Sequence, residues 1–228
     1  LGGGGQNPFQ NGLELFKSPT GIHSTMVVFE TVYFEEGGPE HTRATLEASV
    51  RAAQQLGVGT LVVASTTGDT GVKAAELCRD AELRLVVVGH QMGFPEEGVQ
   101  RFKPENFERI TELGGAVCLG TDVLTNSIRR RQRLGHSPLS TITQCLSAVK
   151  LKVNVEIVAK ACDAGLVKPG ERVISVAGSH WGADTAAVFT AADSAHILDV
   201  RPLLFICYPM SREKADAEYL ARRKAQQV

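Results

Sequence analysis

Two hydrophobic periods alternate along this chain. Short, largely apolar runs at residues 27–34, 60–64, 83–88, 116–119, 171–176, 186–191 and 200–207 suit strands that bury both faces. Between them the apolar positions step by three or four. In residues 40–56, Ala44, Leu46, Val50, Ala53 and Leu56 fall close to helical spacing, and Gly57 closes the segment. Residues 69–80 and 104–113 read as helices too. Residues 137–164 open with Ser137 as cap and Pro138 in the first turn, and Leu139, Ile142, Leu146, Val149, Val153 and Ile157 follow before Gly165. Within that segment 151–157 also alternates with period two, as a strand would; the spacing favours one long helix, bent there.

Strands and helices taken in turn predict a three-layer α/β/α domain with a mostly parallel sheet, whose ligands bind where several strand ends meet small and polar loops. Three regions follow. Residues 1–25 read as a flexible, glycine-rich N-terminal arm, residues 26–209 as a single ligand-binding domain, and residues 210–228 as a charged, alanine-rich helix or fraying, solvated tail. The opening glycines follow no strand and open no helix, so they are no dinucleotide fingerprint. The arm also lacks the basic and apolar regions of a signal peptide. A chain that begins with Leu1 reads as a fragment or processed product, with Met26 a candidate natural start.

Charge narrows the partners. With 24 basic and 25 acidic side chains, nothing global draws the chain to nucleic acid or to an anionic membrane, so any anion site must be local. No apolar run approaches the roughly 20 residues that span a bilayer. Cys78, Cys118, Cys145, Cys162 and Cys207 are odd in number and lack metal-ligand spacing; they read as reduced, mostly buried residues of a cytoplasmic protein. His23, His41, His136, His180 and His196 show no ligand spacing either, so no metal site is expected.

Candidate chemistry gathers at the predicted strand ends. After the strand at 60–64 come Ser65, Thr66, Thr67, Gly68, Asp69 and Thr70: hydroxyls, a glycine suited to positive φ, and the unpaired N–H groups of a helix start. Together they form a phosphate cradle that needs no lysine or arginine; the plain alternative is a capped strand-to-helix turn. A second loop holds Gly178, Ser179, His180, Trp181, Gly182, Ala183, Asp184 and Thr185. Its glycines permit tight turns, Ser179 and Thr185 carry hydroxyls for phosphate or sugar oxygens, and Trp181 either stacks on a planar ring or caps the core. Asp184 either orients a ribityl or ribose hydroxyl or bonds the amides of its own turn.

A third loop offers His90, Gln91 and Gly93, with no carboxylate partner for His90 near it in sequence. A fourth, with Gly120 and Thr121, either completes the rim or caps a helix through Thr121 or Asp122. Arg129, Arg130, Arg131 and Arg133 read as a solvated face, or as a reach toward a ligand phosphate across an oligomer interface. Glu156 and Lys160 are spaced for a partly buried helical ion pair. Neither a Walker loop nor a nucleophile elbow is present.

Two resemblances add to this. Ser65-Thr-Thr-Gly-Asp-Thr70 is similar in spacing to the phosphate loop of flavodoxins, which holds flavin mononucleotide (FMN), although here it follows the second strand and so marks a shared solution, not shared ancestry. More widely, Thr42-Arg-Ala-Thr-Leu46, Val62-Val-Ala-Ser-Thr-Thr-Gly-Asp-Thr70, Gly89-His-Gln-Met-Gly-Phe94, Val155-Glu-Ile157, Ala161-Cys-Asp-Ala-Gly-Leu166 and Gly178-Ser-His-Trp-Gly-Ala-Asp-Thr-Ala186 resemble the stand-alone proteins that look like the C-terminal domain of pyruvate kinase. In that enzyme the comparable loops bind a sugar bisphosphate effector and catalysis belongs to a separate barrel. The resemblance therefore implies the fold and a phosphate pocket, and it argues against kinase activity in this chain. Some stand-alone members look able to hold FMN, which makes FMN the expected ligand. The alternatives are a sugar-phosphate sensor without catalysis, a flavin-dependent enzyme using His90 or His180 as acid or base, and an oligomeric scaffold with a vestigial pocket.

Overall fold

The computed structural model describes residues 28–124 and 137–225. Its sheet has seven strands: β1 (Val32–Glu36), β2 (Thr60–Ala64), β3 (Arg84–His90), β4 (Ala116–Gly120), β5 (Arg172–Ala177), β6 (Thr185–Thr190) and β7 (Arg201–Ser211), in the order β1-β7-β6-β5-β2-β3-β4. Four of the six pairings are parallel and the two made by β6 are antiparallel. The expected mostly parallel sheet is present, with β6 as its one reversed strand.

The described helices are α1 (Thr42–Leu56), α2 (Asp69–Asp80), α3 (Pro104–Glu112), α4 (Pro138–Ala148), α5 (Lys152–Asp163) and α6 (Glu213–Ala225). Alternation along the strands sorts the core into two layers. Leu61, Val63, Leu85 and Val87 face α1, α2 and α3, whereas Val62, Val86 and Val88 face α5. That is the three-layer α/β/α arrangement, and its central strands are apolar on both faces because both are covered.

Several sequence expectations shift. The first strand is Val32–Glu36, starting later than the apolar run at 27–34. The single bent helix over 137–164 is instead two helices. Lys150 takes a left-handed φ of 56° between them, with Leu151 N–H bonded to Leu146 O at 2.9 Å and Lys150 N–H to Ser147 O at 3.0 Å. Those two bonds are a Schellman stop, which satisfies the last carbonyls of α4 and turns the chain. The period-two stretch 151–157 is helical because α5 is buried from Asn154 through Cys162, on every side. Lys160 does not pair with Glu156. Glu156 pairs with Lys152 and accepts from Leu124 N–H at 2.8 Å, which leaves Lys160 for Asp122. Within the expected tail, β7 runs to Ser211 and Glu213–Ala225 form the helix α6.

All five cysteines are unpaired; Cys78, Cys162 and Cys207 are buried, Cys118 half-buried and Cys145 exposed. Burial pushes the Cys78 thiol up to about 12 and those of Cys162 and Cys207 to about 11, so all three stay protonated. Among the described residues no helix is long and apolar enough to cross a membrane, and no group of His, Cys, Asp or Glu is placed to hold a metal ion. Residues 1–25 and the arginine run at 129–133 lie outside the described residues.

Candidate functional site

Strand direction brings the candidate loops to one rim. β2 ends at Ala64 opposite Val88 of β3, β3 ends at His90 opposite Gly120 of β4, and Val176 of β5 lies opposite Val63. The loops after β2, β3, β4 and β5 are therefore neighbours in the order of the sheet. β1 and β7 end at the same rim, where Gly37 N–H bonds Ser211 O at 2.8 Å.

The loop Ser65–Thr70 is the centre of that edge. Gly68 has φ 91°, as its place between strand and helix requires. Val72 N–H makes the first intrahelical bond, to Gly68 O at 2.9 Å, and Gly71 N–H donates to Ser65 Oγ at 3.3 Å. The N–H groups of Asp69 and Thr70 thus stand ahead of the helix ladder, at its positive end. Ser65 is buried and receives a bond within the loop. Thr67 donates its hydroxyl to Asp69 Oδ2 at 2.7 Å. Thr66 and Thr70 are half-buried, and no described hydrogen bond engages either hydroxyl.

Side chains from the end of the β3–α3 connection and the first turn of α3 complete this loop, and sequence order did not point to them. Lys103 Nζ lies 2.9 Å from Asp69 Oδ1; Asn106 Nδ2 donates to the same oxygen at 2.8 Å and to Thr67 O at 2.9 Å. Hydrogen bonds from Lys103, Thr67 and Asn106 hold the Asp69 carboxyl down at about 2. A fixed carboxylate at a helix start opposes an incoming phosphate, and Lys103 supplies the cation that cancels it. A Cβ on Gly68 would stand 2.5 Å from Asn106 Cβ and 3.0 Å from the Phe102 ring. Gly68 is required by this packing, independently of any ligand.

His90 acquires the carboxylate that its sequence neighbours lack. Its Nδ1 lies 3.0 Å from Asp122 Oδ2, and Lys160 Nζ donates to Asp122 Oδ1 at 3.0 Å and to Gly89 O at 2.8 Å. Asp122 and Lys160 are buried and His90 is half-exposed. Burial alone would raise the Asp122 carboxyl, but the hydrogen bonds and charges of His90 and Lys160 outweigh it and hold it at about 2. Phe94 stacks on the imidazole with centroids 3.9 Å apart. The fourth loop therefore serves through Asp122, which orients His90, while Thr121 is exposed and Gly120 pairs with His90 across the ladder. Gly93, at φ 81°, and half-buried Gln91 continue the third loop.

The loop after β5 folds on itself. Asp184 is fully buried and accepts from Ser179 N–H at 3.0 Å and from the Thr185 hydroxyl at 2.9 Å, which is the turn role among its two expected ones. Gly182 has φ 68° and packs against Pro39 and Thr42; Ala183 N–H donates to Thr42 Oγ1 at 3.0 Å. Gly178 runs against the backbone of Gly182. His180 and Trp181 point to the tail helix: His180 Nε2 lies 2.6 Å from Asp216 Oδ1, its ring stacks on Tyr219, and the Arg222 guanidinium sits 4.5 Å from the Trp181 ring centroid.

Comparison with known proteins identifies the family of the domain. The family model described as pyruvate kinase, alpha/beta domain, matches residues 43–189, from α1 through β6. Among solved structures, a pyruvate kinase from Cryptosporidium parvum is similar over 66% of this chain and 23% of its own, at 12% identity and a TM-score of 0.36. The chain thus spans about a quarter of that protein.

Proposed function

This chain belongs to the family of the pyruvate kinase alpha/beta domain, and from that premise we propose that it binds a phosphorylated small molecule at the strand-end rim, with FMN as the ligand. One observation carries the reading: the start of α2, where the N–H groups of Asp69 and Thr70 stand ahead of the helix ladder behind a glycine at φ 91°, in a loop that also carries the half-buried Thr66 and Thr70. A phosphate fits this donor set, and Lys103 offsets the one carboxylate within it. When bound, FMN would supply redox chemistry; the chain's own part is to hold its phosphate at 65–70, with residues 89–93, 120–121 and 178–185 around the remainder. His90, oriented by Asp122, is one side chain on this rim equipped to give or take a proton; His180 is engaged by Asp216 and Tyr219.

A second reading has its own support. Trp181, the candidate platform for the ring, is already covered by Arg222 and Tyr219, which favours a ring-free ligand such as a sugar bisphosphate and a sensing role without catalysis. Purified protein separates the two. A yellow preparation that releases flavin on denaturation supports the FMN reading; colourless protein whose melting rises with sugar bisphosphate and not with FMN supports the sensor. The five unpaired cysteines favour a reducing, cytoplasmic setting. The near balance of charge favours neither nucleic acid nor membrane as partner, and a homo-oligomer is part of the same proposal.

A further inference from the structure

We infer that α6 is a displaceable lid over the loop after β5, and that its docking competes with the ring of a bound nucleotide; this rests on the FMN reading above. The helix is not held as a core helix is. Ala215 is its one buried hydrophobic residue among those described, Leu220 is 56% exposed, and the sequence Glu213-Lys-Ala-Asp-Ala-Glu-Tyr-Leu-Ala-Arg shows no apolar stripe. What holds it is a row of polar and aromatic contacts on a single face. Asp216 meets His180 at 2.6 Å and Arg212 at 3.1 Å. Three residues on, Tyr219 stacks on His180 with centroids 4.2 Å apart and planes 5° from parallel, and it lies 5.8 Å from Trp181. Three further on, Arg222 covers the indole at 4.5 Å. Lys214 reaches Glu40 at 3.5 Å.

Apart from the Asp216–Arg212 pair at the helix start, the contacts named end on the loop or its rim, and each is of a kind that forms and breaks at a surface. His180 sits at φ 68°, a conformation that a non-glycine residue keeps when its surroundings enforce it, and its ring is what Asp216 and Tyr219 grip. Beneath the helix, the cleft bounded by Gly37, Gly38, Ser179, Trp181, Ala215 and Glu218 holds about 10 Å³, barely the space of one water. A planar ring cannot enter there while Lys214, Ala215 and Glu218 of α6 line the cleft, nor lie on the indole face that Arg222 occupies. Loop 65–70 receives nothing from α6 among the contacts described, so the phosphate end stays accessible in both positions of the helix. The closed form therefore takes the phosphate and refuses the ring, and apparent FMN affinity is scaled by the fraction of molecules in which α6 is lifted.

The test uses the full chain and the double variant Tyr219→Ala/Arg222→Ala, with FMN and fructose 1,6-bisphosphate as probes. If the lid is lifted in about a tenth of molecules, the variant binds FMN about tenfold more tightly, while the ring-free probe is unaffected. In the unmodified chain, FMN speeds hydrogen exchange across residues 213–225, a readout that does not depend on the variant folding well. Equal or weaker FMN affinity in the variant, or exchange in α6 that FMN leaves unchanged or slows, overturns the lid and leaves the FMN reading standing. Absence of FMN binding in both proteins overturns the FMN reading and the competition with it.

Discussion

A carboxylate that is 4% exposed stays ionised only with donors around it, and Asp122 has two, His90 and Lys160. Its folded value of about 2 against an ordinary 3.8 has a definite sign. The stabilisation is fully present above about pH 4 and is lost as pH falls toward 2, with an upper bound on the order of 2–3 kcal/mol. Asp69 titrates in the same window but is half-exposed, so its share is smaller. Asp122→Asn should therefore melt with a shallower loss between pH 4 and 2, and should be less stable at neutral pH by about 3–5 kcal/mol, because Lys160 is left buried without its partner. Thermal melts across that range decide it; parallel curves for both proteins would remove Asp122 from the acid response. At the proposed phosphate loop, Thr67 is committed to Asp69, so the informative change is Thr66→Val with Thr70→Val. That pair should weaken FMN by on the order of 1–3 kcal/mol in calorimetric titration, and unchanged affinity would place the phosphate elsewhere.

Among the elements, α2 carries the proposed cradle at its start, and Gly71 sets how closely it lies on the sheet. A Cβ there would stand 2.7 Å from Val87 and 2.9 Å from Ile110, both fully buried. Alanine normally improves a helix interior by about 1 kcal/mol over glycine, but overpacking a filled core costs about 1–3 kcal/mol. We expect Gly71→Ala to be net destabilising by up to about 2 kcal/mol in denaturant unfolding, with FMN affinity reduced as α2 shifts. A gain in stability would show that the contact between α2 and β3 is slack. The end of α4 teaches the converse about sequence signals. Its stop has the same bonds as that after α5, yet Lys150 stands where α5 has Gly165, so no glycine announces the break.

For the whole molecule, ligand binding to the folded state alone raises stability by mass action. FMN at about 100 times its dissociation constant should add about 2.7 kcal/mol, which for a domain of this size is roughly 5–10 °C in Tm. A differential scan with FMN, and with a sugar bisphosphate at matched saturation, reads this directly. A protein indifferent to both, at concentrations well above millimolar, would leave the rim without a phosphate ligand.

Local chemistry determined much of this. Helix and strand periods, Gly57 and Gly165 as stops, Ser137 with Pro138 as a start, and the hydroxyl loop at 65–70 all act within a few residues of one another, so the chain alone displays them. Strand alternation even assigned the layered fold, since runs apolar on both faces demand cover on both sides. What only the tertiary structure decided are the partnerships of charge. Asp122 is 32 residues from His90 and 38 from Lys160, and Lys103 is 34 from Asp69. Asp216 is 36 from His180. Helical spacing offered Lys160 the nearby Glu156, a pairing legitimate at a solvated surface. In the buried interior, desolvation made the choice instead, by bringing each ionised group to whichever partner the packing of sheet and helix placed within reach.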